Sequence, residues 1–219
     1  MPKSSNATKS EIKKIVKSAI KANLETKQIV NAYAVSSPVS VTNGDVYTIG
    51  APIAGAGNPG QQGTGIYNRI GDEILVHEAE FNCEIVLAAA GSQTVRWFMI
   101  MVPQPDGTLT NLANMLYEVG ATLSCYSPYS YHKMKEWGVR VLASGHRTLT
   151  TNYLATNNPV SSLYVKKKFK KPIKQAFNAN TTAAGIAAYT KNAIHFIIVA
   201  SALNVTTQKA QSSVLFTDA

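Results

Sequence analysis

From Ala79 to Leu87, apolar side chains take every second place. Ala79, Phe81, Cys83, Ile85 and Leu87 alternate with Glu80, Asn82 and Glu84, and Val86 alone is out of step. A period of two sends alternate side chains to opposite faces of an extended chain, so this run predicts a strand with one buried and one wet face. Such a strand needs a second apolar layer to cover it. Similar runs follow the same logic at Val39–Ile49, Val95–Val102, Ala121–Cys125, Trp137–Thr150, Ser162–Lys171, Ala193–Ala202 and Ser212–Thr217. Gly, Pro and Asn dominate residues 50–65, and Pro103-Gln-Pro-Asp-Gly107 reads as a turn. Leu109–Tyr117, with Leu109, Leu112, Ala113 and Leu116 on one side, reads as a short helix inside a connection. No helices alternate with the strands. The prediction is an all-β body, most simply an eight-stranded, two-sheet sandwich of jelly-roll type.

Ahead of that body, residues 8 to about 30 predict one substantial helix. Thr8 and Glu11 have capping-box spacing, which satisfies orphan backbone donors at a helix start. Ile12, Ile15, Val16, Ala19, Ile20 and Leu24 form one apolar stripe, with Lys13, Lys14, Lys17 and Lys21 on the opposite side. A basic amphipathic helix packs on partner helices, lies on a membrane, or stands solvated. The division that follows is a basic arm over residues 1–36 and a sandwich domain over residues 37–219.

Charge is concentrated in two places. Lys3, Lys9, Lys13, Lys14, Lys17, Lys21 and Lys27 against Glu11 and Glu25 give the first thirty residues +5. Lys166, Lys167, Lys168, Lys170, Lys171 and Lys174 add +6 with no acid among them. The whole chain carries +9, which leaves −2 for everything else. A polyanion would meet such a molecule at one tail and one face, through counterion release.

The second cluster has internal order. In Tyr164-Val-Lys-Lys-Lys-Phe-Lys-Lys-Pro-Ile-Lys174, extended geometry points Leu163, Val165, Phe169 and Ile173 one way and Lys166, Lys168, Lys170 and Lys174 the other. Lys167 and Lys171 fall on the apolar parity and reach water by snorkelling or by lying near strand ends. Lysine also protects exposed strand edges from aggregation. Four same-side ammonium groups exceed that need, and the balance favours polyanion contact.

Other features are plainer. The 45% hydrophobic content supports a large core, and 15% charged residues suits a subunit that buries surface against its own copies. No apolar run is long enough to span a bilayer, and no secretory signal is expected at the N-terminus. Cys83 and Cys125 sit in apolar contexts and read as buried thiols. The triplets at Asn6, Asn180 and Asn204 read as chance matches to the glycosylation pattern.

Catalysis finds no support. Gly55, Gly57 and Gly60 spell GxGxxG, but Pro59 interrupts it and no helix follows to hold a pyrophosphate. His77, His132, His146 and His195 are scattered without metal-ligand spacing, and no GxSxG elbow is present. Asp72 and Glu73 are the only adjacent acids: a hydrogen-bonded turn is the plainer reading, a Ca2+ contact between subunits the other. No cofactor is required.

The segment Gln62-Gly-Thr-Gly-Ile-Tyr-Asn-Arg-Ile-Gly-Asp-Glu-Ile74 resembles the start of the shell domain in single jelly-roll coat proteins of small icosahedral viruses. These are the satellite tobacco necrosis virus and tombusvirus-like coats, found also in circular, Rep-encoding single-stranded DNA viruses. Gly63, Gly65, Asn68, Arg69, Gly71 and Asp72 carry the resemblance. Leu123-Ser-Cys-Tyr-Ser-Pro-Tyr-Ser130, Trp137-Gly-Val-Arg-Val-Leu142, Arg147-Thr-Leu149 and the lysine-rich strand continue it in order. The chain departs from the family in the Leu109–Tyr117 connection and in a tail with lysine but almost no arginine.

The resemblance implies a T=1-type icosahedral shell of identical copies in a virion, with the arm turned inward onto single-stranded DNA or RNA. Three-fold contacts between arms, through Ile12, Ile15, Val16, Ala19, Ile20 and Leu24, are implied by the same analogy, with assembly in the host cytoplasm or nucleus. The expected nucleic-acid contacts are Lys3, Lys9, Lys13, Lys14, Lys17, Lys21, Lys27, Lys166, Lys168, Lys170 and Lys174, and the host receptor is unassigned. Arg69 and Asp72 are expected in structural roles. Two rival readings stand beside it. One is a carbohydrate- or receptor-binding sandwich with a basic targeting tail, using Tyr126, Tyr129 and Tyr131. The other is a membrane-active protein whose helix inserts at an anionic surface.

Overall fold

A computed structural model of the chain describes residues 9–16, 25–33, 39–52, 69–88, 91–105, 115–118, 123–150, 160–178 and 188–219. Nine strands lie among the described residues: β1 (Lys27–Ala32), β2 (Asp45–Ile49), β3 (Glu73–Leu87), β4 (Ser92–Val102), β5 (Arg140–Thr150), β6 (Val160–Phe177), β7 (Tyr189–Lys191), β8 (Ala193–Ala200) and β9 (Val205–Asp218). One sheet has the order β1-β9-β3-β6-β7 and the other β2-β8-β4-β5. All neighbours are antiparallel. The first strand pairs with the last, and the chain passes back and forth between the sheets, as a jelly roll does. The expected eight-stranded sandwich is therefore present, with the three-residue β7 added at the edge of β6.

The inner faces meet in one apolar core that includes Ile29, Val76, Phe81, Ile85, Val95, Met99, Ile194, Phe196, Ile198, Val214 and Phe216. Aromatic rings tie the two sheets together across it. Trp97 stacks on Phe196 at 5.7 Å, Phe196 on Phe81 at 4.0 Å, and Tyr47 follows at 5.0 Å from Phe81. Tyr33 closes the row, its hydroxyl donating to the Thr48 carbonyl at 2.7 Å. Gly145 lies opposite Trp97 in the β4–β5 ladder, and a Cβ there would come within 2.6 Å of the indole ring.

A second apolar cluster covers the outer face of the four-stranded sheet. Phe98, Ile100, Val102, Ile197 and Val199 point outward and are capped by Met115, Leu116, Cys125 and Val139 from the β4–β5 connection. This explains why β8 is buried along its whole length.

Several expectations are corrected. The predicted helix does not run to residue 30: residues 9–16 are helical, but Lys27–Ala32 is strand β1, paired with β9. The part of the predicted arm after residue 26 thus belongs to the sheet. Leu123–Cys125 is loop and turn, its apolar residues serving the outer cluster instead of a ladder. Residues 115–117 are not helical, and Leu116 bridges Tyr129. The rest of the predicted Leu109–Tyr117 helix lies outside the described residues. A helix, Tyr131–Glu136, precedes β5, with Ser130 as its cap accepting from the Lys133 amide. Finally, β3 begins six residues before Ala79. Ile74 and Val76 face inward, then the register shifts between Val76 and Glu78, so the inward parity resumes at Ala79.

Candidate nucleic-acid interface

The lysine strand β6 folds with the predicted parity. Leu163 and Val165 are buried, Phe169 and Ile173 are half-buried, and Lys166, Lys168, Lys170 and Lys174 face outward. The neighbouring strand changes the meaning of that face. Along β3, Glu73, Glu78, Glu80 and Glu84 occupy outward positions, and the ladder sets Glu78 opposite Lys168 and Glu80 opposite Lys166. Cross-strand opposite charges are the pairing that a sheet face favours. Lys166 Nζ lies 2.5 Å from a Glu78 carboxylate oxygen and also binds Glu80. Lys168 approaches Glu78 at 3.6 Å, and Lys174 reaches Glu73 at 2.6 Å. The hydrogen bond from Lys166 holds the Glu80 carboxyl below its usual pKa, and the two glutamates hold the Lys166 ammonium above its own. On β9, Lys209 is matched by Glu84 at 2.9 Å.

The ladder is therefore not an unopposed row of ammonium groups, as the strand's own sequence suggested. Lys166, Lys168 and Lys174 each have a glutamate. Lys170 faces outward near a pronounced irregularity, where Phe169–Pro172 stand opposite His77 alone.

Lys27 differs from the other expected contacts among the described residues in being buried. It is 2% exposed, and its Nζ lies 2.8 Å from Asp218, so its charge is paired within the fold. Lys9, Lys13 and Lys14 are exposed on the helical segment 9–16, as are Ile12, Ile15 and Val16 of the apolar stripe. Lys3, Lys17, Lys21, Ala19, Ile20 and Leu24 lie outside the described residues.

Of the shell-entry motif, Gly63, Gly65 and Asn68 are likewise outside the described residues, together with the GxGxxG loop. Arg69, 1% exposed, stacks its guanidinium 4.5 Å over the Phe177 ring, donates to the Gly71 carbonyl and reaches Asp72 at 3.4 Å. Burial lowers its pKa and Asp72 pulls it back up. Gly71 has φ +83°, a conformation that favours glycine. The Asp72 carbonyl accepts from the Phe177 amide, and the Ile70 amide donates to Asp218 at 2.7 Å. These contacts lock the motif to the ends of β6 and β9. Asp72 and Glu73 each face a basic partner, Arg69 and Lys174. No group of three metal-ligating side chains occurs among the described residues.

Of the three tyrosines, Tyr126 and Tyr131 are well exposed, whereas Tyr129 donates its hydroxyl to Ser144 at 2.9 Å. Sequence reading missed two features. One is the set of β3 glutamates as lysine partners, although the wet-face positions of Glu80 and Glu84 already hinted at it. The other is Arg96, whose Nη1 holds the carbonyls of Cys125 at 3.2 Å and Ser127 at 2.6 Å.

Comparison with known proteins shows a family for the chain. The family model for satellite tobacco necrosis virus coat protein matches residues 2–219. No curated protein matches the chain. Solved structures similar to it include sacbrood virus of honeybee in an expansion state, at 8% identity, 90% of this chain, 85% of that chain and TM-score 0.30. Deformed wing virus, a honeybee pathogen, matches at 16% identity, 84% of this chain, 75% of that chain and TM-score 0.30. The chain belongs to the satellite tobacco necrosis virus coat protein family, and is a structural, non-enzymatic capsid protein that assembles with its own copies into the shell of a virion.

Proposed function

We propose that this shell packages single-stranded nucleic acid without sequence preference, and that the N-terminal arm is the principal contact. The observation that carries this is the unequal neutralisation of the two lysine clusters. Lys9, Lys13 and Lys14 stand exposed beside Glu11, while Lys166, Lys168 and Lys174 each rest on a glutamate of β3. Residues 1–26 carry six lysines and two glutamates, a net +4. Lysine neutralises the phosphates of RNA and DNA alike. The exposed Ile12, Ile15 and Val16, continued in sequence by Ala19, Ile20 and Leu24, give the arms an apolar surface for packing on one another around three-fold axes of a T=1 shell. Assembly then takes place wherever genome and subunit meet, in the host cytoplasm or nucleus.

The test is the quadruple variant Lys13→Gln, Lys14→Gln, Lys17→Gln, Lys21→Gln. Its particles should carry less nucleic acid, and the slope of log affinity against log salt should flatten by about 3, at roughly 0.7 per phosphate for a single strand. Lys166→Gln with Lys168→Gln should change packaged mass much less. Unchanged nucleic-acid content in the arm variant defeats this reading. No helix among the described residues is long and apolar enough to cross a membrane. Preferential binding of the arm to anionic vesicles over nucleic acid at equal ionic strength would favour the membrane alternative instead.

A further inference from the structure

Among the described residues, the outer face of the four-stranded sheet is only partly covered. Phe98, Ile100 and Val102 lie under the β4–β5 connection, but the same face of β4 and β5 continues past Phe98 into Thr94 and Arg96, paired with Thr148 and His146. Where the cover stops, a cleft of about 620 Å³ opens, walled on one side by Cys125, Tyr126 and Tyr129 and floored by the sheet. That volume falls in the range of small-ligand sites, about 300–1,000 Å³.

We propose that this cleft binds an acidic sugar: a saccharide unit carrying a carboxylate or a sulfate. Three features select that chemistry. Tyr126 is 69% exposed at the cleft wall, offering a ring face to the C–H face of a sugar. Hydroxyls line the floor in a row, with Thr94 Oγ1 3.3 Å from Thr148 Oγ1 and Ser144 Oγ accepting from Tyr129, each able to pair with a ring hydroxyl. No carboxylate is among the described lining residues, while Arg96 and His146 are. Arg96 is held in place rather than spent. Its guanidinium packs against both Phe98 at 4.7 Å and Tyr129 at 5.0 Å, and Nη1 alone serves the two loop carbonyls. Nε and Nη2 make no hydrogen bond among the described residues, which leaves a pre-organised donor pair for an oxyanion.

The cleft lies on the opposite side of the sandwich from the lysine-bearing face of β6. Resting on the packaging reading, in which the arm that leads into β1 of the five-stranded sheet meets the genome, this places the cleft on the four-stranded sheet outward, where a host-surface glycan would meet it. A nucleotide of the genome is the competing occupant, and the experiment separates the two.

Intact particles are titrated calorimetrically with 3′-sialyllactose, lactose 3′-sulfate, lactose and adenosine monophosphate. Expected is binding of at least one acidic sugar about tenfold or more tighter than lactose and than the nucleotide. The preferred one identifies the anion. Tyr126→Ala and His146→Ala, both at exposed positions, should each weaken it about fivefold or more while particles assemble and package as before. Equal affinity for lactose, tighter binding of the nucleotide, no heat from either acidic sugar, or unchanged affinity in Tyr126→Ala overturns the proposal. Loss of packaged nucleic acid in that variant places the cleft on the genome side and overturns it too. Failure of the arm-lysine variants alone would leave the sugar affinity intact and so point to the packaging reading.

Discussion

Lys27 and Asp218 join the beginning of the sandwich to its end. The ammonium of the first strand, buried to 2% exposure, lies 2.8 Å from the carboxylate of the penultimate residue. The same carboxylate accepts the Ile70 amide, so a single side chain ties β1, β9 and the shell-entry motif together. Removing one member of a buried pair is strongly destabilising, because the other charge stays in a poor solvent. Asp218→Asn should therefore lower subunit stability by about 3 kcal/mol, read by urea denaturation of unassembled protein. Lys27→Met should cost less and leave the nucleic acid per particle unchanged. A fall in packaged nucleic acid in folded Lys27→Met particles would restore Lys27 to the genome contacts.

The β3 glutamates make a prediction of opposite sign. Glu78→Gln with Glu80→Gln releases Lys166 from both carboxylates and Lys168 from its one. The freed ammonium groups gain two phosphate contacts' worth of affinity for a polyanion, and the salt slope should steepen by about 1 to 2. Filter binding of single-stranded oligonucleotides across a salt series measures it. An unchanged slope means that this face does not meet nucleic acid.

Acid should weaken the fold through His195. The imidazole is fully buried in β8, its Nδ1 3.2 Å from the Thr48 hydroxyl and its Nε2 without a partner among the described residues. Burial pushes its pKa down to about 4 from an ordinary 6.5. The unfolded chain takes up the proton first, so between those two values it binds more protons than the folded one. Stability from this group is complete above pH 6.5 and is lost as pH falls toward 4, by about 3 kcal/mol in total at 1.36 kcal/mol per pKa unit. Urea midpoints from pH 7 to pH 4 should show the decline, and His195→Leu should flatten it. A slope unchanged in His195→Leu would assign the acid sensitivity elsewhere.

The sandwich was readable from the chain because its strands bury alternate apolar residues, as β3 does from Ala79 to Ile85. Strand β1 was hidden for the converse reason. Its inward positions are Lys27, Ile29 and Asn31, two polar residues in three, while Val30 faces water. An apolar stripe running up to Leu24 made helix the simpler continuation. Parity on β6 was legible, but its neutralisation was not, because Glu80 and Lys166 are 86 residues apart and meet only through the register of two strands. Arg96 has the same character. Nothing local marks it as the anchor of Cys125 and Ser127 until the β4–β5 connection folds over the sheet. What local patterning encodes is which face of an element is dry; which charges face one another is a property of topology.

Gly145 gives the last prediction, and it couples the core to the cleft. The residue lies on strand β5 directly opposite Trp97, whose ring atoms fill the space where a side chain would begin. An alanine Cβ would sit 2.6 Å from Cζ2 and 2.8 Å from Cε2, closer than side chains approach, so either the indole or the strand must move. Trp97 is stacked on Phe196, itself stacked on Phe81, which leaves the ring little freedom on its far side. Gly145→Ala should cost about 1–3 kcal/mol by overpacking, read by urea denaturation. Because β5 is the edge strand and floors the cleft, the displacement should also reduce acidic-sugar affinity. Adding Trp97→Phe trims the ring atoms that clash. The double variant should recover part of the stability that Gly145→Ala loses, beyond the sum of the single effects, since the two sites share one contact. Strict additivity would mean that the strain is relieved elsewhere and that Trp97 is not what requires glycine at this position.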